Sequence, residues 1–142
     1  MEKYFCNYNQ SLALKELGFK KPCFGWYEHS GNFYYCYQEG LVPPSPSKKL
    51  IKNCCLASLK SQVFEWFRDK QNLRSNIMDF IDDVTGIEWD YEIDFIGVDV
   101  DENGNYKPLV DYSIDDETRK FKTYKEAESA CIDKLIEIVK NK

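Results

Sequence analysis

The chain has 142 residues, a net charge of −5, 43% hydrophobic residues and 15% aromatic residues. This length suits a single domain over residues 1–142, and the apolar content argues against intrinsic disorder. No apolar run approaches the roughly 18 residues of a membrane span, so no membrane association is expected.

Two segments near the start of the chain predict a helix and then a β-hairpin. Residues 11–17 have the composition of a short helix, and Gly18 supplies its left-handed stop. Residues 23–28 and 33–38 are rich in aromatic residues and flank a loop of turn-forming residues, which is typical of a hairpin.

A proline-rich stretch separates this hairpin from a second helix. Three of the five prolines fall in residues 40–54, which predicts a surface loop within the domain. An amphipathic helix is predicted over residues 56–71, because apolar residues recur there at helical spacing: Leu56, Leu59, Val63, Trp66 and Phe67.

The second half predicts another hairpin and a third helix. Residues 77–84 fit either a short helix or a loop that plugs the core. Residues 88–95 alternate strictly between apolar and acidic side chains, which indicates a half-buried strand, and residues 106–114 are its expected partner. A Thr-x-x-Glu capping box precedes a helix over residues 124–140.

These elements follow the order α-ββ-α-ββ-α. Two hairpins, each followed by a helix, predict an α+β fold. We expect a mostly antiparallel sheet of about four strands with the helices packed on one face.

Charge is segregated along the sequence. Residues 75–117 hold 14 acidic residues and one basic residue, whereas residues 1–74 carry a net charge of +5 and residues 118–142 a net charge of +3. Such a segment can form the solvated face of a sheet, or it can meet a basic partner protein, a cation, or another copy of the chain.

The acidic positions of the predicted strand are a candidate partner-binding surface. Alternation places one set of side chains in the core, namely Trp89, Tyr91, Ile93 and Phe95. It places the other set outward at about 7 Å spacing, namely Glu88, Asp90, Glu92 and Asp94. A row of lysines or arginines on a partner suits this spacing, and a solvated sheet face is the alternative.

The aromatic hairpin is a candidate ligand site. Its candidate ligand-binding residues are Trp26, Tyr27, Tyr35 and Tyr37. Aromatic side chains on one face belong to the core or to an interface, and those on the other face can stack on a ring or a base. The overall acidity argues against extended nucleic acid, whose phosphates dominate such binding.

Metal binding and catalysis have little support. Asp99, Asp101 and Asn103 match the first half of an EF-hand loop, but Val110 stands where a bidentate glutamate belongs. A hairpin turn at Asn103-Gly104 explains the same residues. No catalytic motif surrounds the single histidine, His29, and no cofactor is expected. The six cysteines lack metal-ligand spacing and are expected to be reduced.

Three stretches resemble small uncharacterised proteins of bacteriophages and mobile elements of gut Bacteroidota. They are Ser11–Phe19 with the following Pro22–Phe24, Val63–Arg68, and Thr123–Val139, and together they cover about a quarter of the chain. The resemblance implies a bacterial cytoplasm as the setting, and the polar N-terminal residues also lack a secretory signal. It implies no activity and no site residues.

Taken together, the sequence predicts a small phage-type or bacterial accessory protein that acts by binding. The preferred mode is protein–protein contact, through the acidic or the aromatic hairpin, with a basic partner or a second copy. The alternative is a binder of small molecules or nucleotides with an aromatic pocket.

Overall fold

A computed structural model describes the chain over residues 2–21, 25–35, 55–96, 98–100, 103, 106–108 and 120–142. The proline-rich stretch predicted at 40–54 and Tyr37 lie outside these residues. The chain divides into two compact units, Met1–Val63 and Phe64–Lys142. The expectation of a single domain stays a prediction.

The chain is α+β, as the sequence predicts. After a short 3-10 helix at Glu2–Tyr4, the described elements are α1 (Tyr8–Glu16), β1 (Gly25–Tyr27), β2 (Phe33–Tyr35), β3 (Cys55–Leu56), α2 (Lys60–Gln71), β4 (Leu73–Asp82), β5 (Gly86–Phe95), β6 (Val98–Val100), β7 (Tyr106–Pro108) and α3 (Tyr124–Lys140). All strand pairs among them are antiparallel.

Local signals set both ends of α1. Asn7 accepts the N–H of Gln10 at 2.9 Å, and the Gln10 side chain accepts the N–H of Asn7 at 3.1 Å, which forms a capping box. Gly18 adopts the predicted left-handed conformation, with φ of +88°. The next N–H, of Phe19, reaches back to the carbonyl oxygen of Leu14 at 2.9 Å and closes the helix.

The first unit is built on a three-stranded sheet in the order β2-β1-β3. The β1–β2 pair is the predicted aromatic hairpin. The start of the predicted second helix pairs with β1 instead, so Cys55 and Leu56 are strand and α2 begins at Lys60. One sheet face lies on a core of Phe5, Tyr27, Cys55 and Ala57, with Tyr8, Phe33 and Leu59 packed around it.

The second unit contains the long hairpin β4–β5. Ten residue pairs join its strands, from Leu73 opposite Phe95 to Asp82 opposite Gly86. The segment 77–84, expected as a helix or a loop, is therefore mostly strand β4, and that expectation is wrong. The partner of the acidic strand is this upstream strand and not residues 106–114, of which Tyr106–Pro108 pair with β6.

Helix α3 covers one face of this hairpin. Its predicted capping box is present, because Thr123 Oγ1 accepts the N–H of Glu126 and the Glu126 side chain accepts the N–H of Thr123. The buried residues of the unit include Trp66, Phe67, Leu73, Tyr91, Ile93, Ala127, Cys131, Ile132, Leu135 and Ile136. The predicted inward set of β5 is thus buried at its centre, while Trp89 and Phe95 are half-buried.

One short segment extends the hairpin on the β5 side. Phe121 exchanges two backbone hydrogen bonds with Trp89, at 2.8 and 2.9 Å. Its ring stacks on that of Tyr91, on the face that α3 covers. Lys120, the preceding residue, consequently lies on the opposite face of the hairpin.

No helix in the described part of the chain is long and apolar enough to cross a membrane.

Candidate functional site

The turn between β4 and β5 is fixed by one carboxylate. Asp82 Oδ1 accepts the backbone N–H groups of Val84 and Thr85, each at 2.9 Å. Gly86 then takes a φ of +89° and closes a three-residue loop, a standard way to end a hairpin. These contacts set the conformation of the loop independently of any partner.

The hairpin tip, defined as Ile81 to Ile87, carries three exposed apolar side chains. Ile81 and Ile87 lie directly opposite each other and are 79% and 60% exposed, and Val84 in the loop is 92% exposed. The ring of Tyr124, at the start of α3, contacts Trp89 at 5.3 Å. Since the three residues from Trp89 to Gly86 span about 10 Å, the tip projects beyond the cover of the helix.

The outer face of the hairpin is the face opposite α3. Next to the tip it carries Phe80 and Glu88, which are directly opposite each other. Lys120 Nζ lies 3.2 Å from Glu88 Oε2 and 3.2 Å from Asp82 Oδ2, and 5.7 Å from the centre of the Phe80 ring. One lysine thus joins both strands of the hairpin to the segment that leads into α3.

Hydrogen bonds shift the pKa values of Asp82 and Lys120. The N–H groups of Thr85 and Val84, followed by the Lys120 ammonium, hold the pKa of Asp82 well below its ordinary value of 3.8. Hydrogen bonds to Glu88 and Asp82 in turn raise the pKa of Lys120. Both groups are therefore charged across the whole neutral range, and the cluster acts as a fixed ionic contact.

The four acidic residues expected to form an outward row differ in their surroundings. Glu88 is only 9% exposed, and Thr85 Oγ1 donates a hydrogen bond to its Oε1. Asp94 forms an ion pair with Arg74, the residue opposite it, at 2.9 Å. Asp90 and Glu92 are half-buried. Glu88 departs from the expectation of a solvated row, because Lys120 and Thr85 enclose it.

Several carboxylates of the hairpin have no cationic partner in the described part of the chain. They are Asp79, Asp83, Asp90 and Glu92. The hairpin as a whole holds seven carboxylates and one arginine. The apolar tip therefore lies in a negative local field, which attracts basic surfaces and repels acidic ones.

The aromatic hairpin divides its predicted ligand residues between two faces. Tyr27 is 3% exposed and its hydroxyl group donates to the carbonyl oxygen of Cys6 at 2.7 Å, so it belongs to the core. Burial raises its pKa to about 12. Trp26 lies on the open face, while the side chain of Tyr35 and all of Tyr37 are outside the described residues.

The open face of the first sheet carries a row of apolar side chains. Trp26 pairs with Tyr34 on one side and with Leu56 on the other. The rings of Trp26 and Tyr34 stack at 4.5 Å with an angle of 15° between their planes. The Tyr34 hydroxyl group donates to Glu28 at 3.0 Å, and this hydrogen bond raises its pKa. Tyr34 is 42% and Leu56 40% exposed.

The structure describes the candidate metal residues only in part. Asp99 belongs to β6 and is opposite Lys107 of β7, Asn103 lies in a turn, and Asp101 is outside the described residues. The strand pairing expected around this turn is present. Among the described residues, no three side chains of histidine, cysteine, aspartate or glutamate come together as metal ligands do.

Two features of the site were missed by reasoning from the sequence. The exposed tip was missed because exposed and buried isoleucines look alike in a sequence. The Lys120 cluster was missed because Lys120 is more than 30 residues away from Asp82 and Glu88 in the chain. The exposed tip could have been found from its turn residues, since Asp82 and Gly86 flank a three-residue loop of the kind that closes a hairpin.

Comparisons with known proteins do not place this chain. No protein-family model, no curated protein and no solved structure matches it. The resemblance to small phage proteins of gut Bacteroidota accordingly stays a prediction.

Proposed function

We propose that this chain is a small accessory protein of a phage or a bacterial cytoplasm that works by binding another protein through the tip of the β4–β5 hairpin. The observation that carries the proposal is the exposure of Ile81, Val84 and Ile87 on one projecting turn. Single exposed apolar residues are common on protein surfaces, whereas grouped ones mark contact sites.

The shape of the tip supports this role. Its conformation is fixed by Asp82 and Gly86, so little conformational entropy is lost when it docks. Ile81 and Ile87 lie side by side on one face of the hairpin, and Val84 is exposed in the turn between them, so the tip presents a small apolar surface to a partner. The surrounding carboxylates favour a partner whose surface is basic, and they accelerate its approach.

A photo-crosslinking residue at position 84 tests the proposal. We expect p-benzoylphenylalanine in place of Val84 to yield a discrete crosslinked protein in cells that express the chain. The matched control carries the same residue in place of Glu137, an exposed position on the outer surface of α3. Equal crosslinking from both positions, or none from either, contradicts the proposal.

A ligand with a planar ring is the second candidate function. It is favoured by the stacked pair of Trp26 and Tyr34, because a further ring can extend the stack over the exposed side of Tyr34. Titration of mononucleotides against tryptophan fluorescence, with ribose phosphate as the ringless control, tests it. Saturable quenching that Tyr34→Leu abolishes supports this candidate, and an unchanged signal counts against it.

A further inference from the structure

We propose that the partner of the hairpin tip is a second copy of this chain, which receives the tip on the open face of its β2-β1-β3 sheet. This inference rests on the proposed function and names its partner. It concerns contact between separate molecules.

The receiving surface has the right extent. Tyr34, Trp26 and Leu56 lie side by side on three neighbouring strands. Since neighbouring strands are about 4.8 Å apart, the row is about 10 Å wide. A two-stranded turn is one strand spacing wide, plus its side chains, so the row can accommodate the tip.

The two surfaces are chemically complementary. The tip offers three branched aliphatic side chains, and the row offers two aromatic rings and a leucine. Aliphatic and aromatic side chains pack closely once water is removed from between them. Each surface is partly exposed in the single molecule, and the contact would cover both.

The charges of the two units favour contact between the tip of one copy and the sheet of another over contact between two tips. Residues 1–63 hold eight lysines and four glutamates, whereas residues 64–142 hold 20 acidic and 11 basic residues. A symmetric contact of two tips would bring Asp79, Asp82 and Asp83 of one copy against the same residues of the other. Like charges in close contact are repelled, so the tip favours the basic unit of the next molecule.

Such a contact joins different surfaces, and every copy carries both. Association can therefore continue from molecule to molecule until it closes into a ring. The contact is small and belongs to the class of weak interfaces that bury less than about 1,200 Å². We expect assembly that depends on concentration and weakens as salt screens the charges.

Two variants, each lacking one surface, test the pairing. The tip variant carries Ile81→Thr, Val84→Thr and Ile87→Thr, because threonine keeps the β-branched shape and the charge of the chain. The sheet variant carries Tyr34→Thr and Leu56→Thr and keeps Trp26, which is half-buried. Leu12→Thr, at an exposed position of α1, is the matched control. Circular dichroism verifies that each variant is folded.

Sedimentation and native mass spectrometry provide the readout. We expect the parent and Leu12→Thr to associate, and each surface variant to remain monomeric alone. An equimolar mixture of the two variants should form a one-to-one heterodimer and nothing larger, because only one intact tip and one intact sheet face remain in each pair.

Three outcomes would overturn the inference: a parent that stays monomeric up to about 1 mM, the range of weak association; a sheet variant that still self-associates; or a mixture that stays monomeric. Crosslinks from position 84 to a different protein would then leave the proposed function standing. The absence of any crosslink from that position would remove both.

Discussion

Replacing Ile93 by alanine should destabilise the second unit far more than the same change at Ile87. Both isoleucines lie on β5 and on the face that α3 approaches, but Ile93 is 2% exposed and Ile87 is 60% exposed. The comparison isolates burial, because the loss of β-propensity is similar at two positions of one strand.

The magnitude follows from the carbon atoms that are removed. Isoleucine to alanine deletes three carbons at about 0.8 kcal/mol each when they are buried, or about 2.4 kcal/mol. A residual cavity adds to this, so Ile93→Ala should cost about 3–4 kcal/mol of unfolding free energy. At Ile87 only two fifths of the transfer term applies and no cavity forms, which leaves about 1 kcal/mol.

Urea unfolding followed by intrinsic fluorescence measures both variants, since Trp89 lies on the same strand. The difference in unfolding free energy should be about 2 kcal/mol or more. Equal losses of unfolding free energy at Ile93 and Ile87 would refute the reasoning, because they would mean that Ile93 is no more buried than Ile87.

Three further predictions concern the turn and its ionic cluster. Gly86→Ala should lower the free energy of unfolding by about 1–2 kcal/mol, since a side chain disfavours the left-handed backbone, and Gly86→Asn should lower it less. Equal stability of the parent and both variants in urea would count against a positive φ at Gly86. The hydrogen bonds that lower the pKa of Asp82 stabilise the fold at pH values above 3.8, the ordinary pKa of the group, and this stabilisation is lost as the pH falls toward the lowered pKa. The free energy of unfolding should therefore fall less with decreasing pH in Asp82→Asn than in the parent. An identical pH dependence of the two proteins would contradict the assignment. In a double-mutant cycle by urea unfolding, Glu88→Gln should lower the free energy of unfolding less when Lys120→Gln is already present than it does in the parent. Additive losses would mean that the two side chains do not interact.

The sequence was informative wherever one face of an element was buried. The centre of β5 could be predicted because Tyr91 and Ile93 alternate with acidic residues. The capping box of α3 and the left-handed stop at Gly18 could be predicted because both depend on residues adjacent in the chain. Burial and local hydrogen bonding leave a pattern in the sequence.

The sequence was misleading where apolar residues lie on both faces. In β4, Phe80 faces outward and Ile81 lies on the face that α3 approaches, so alternation is lost near the tip. The Asn-Gly pair at residues 103–104 is also a stronger hairpin signal than the loop after Asp82. The partner of β5 was therefore predicted downstream of it in the chain, whereas its partner is the upstream strand β4. Contacts over long sequence separations, such as Lys120 with Glu88, leave no local signal.

The backbone bridge between Trp89 and Phe121 also bears on how this protein can change over time. It brings two points 32 residues apart in the chain to one hydrogen-bonded position, and α3 begins three residues later. Because the free energy of closing a loop rises by only about 0.6 kcal/mol for each doubling of its length, the chain between β5 and Lys120 can gain or lose residues at little cost to α3. This stretch is thus a position where the protein can acquire new sequence while its helix and its hairpin tip stay as they are.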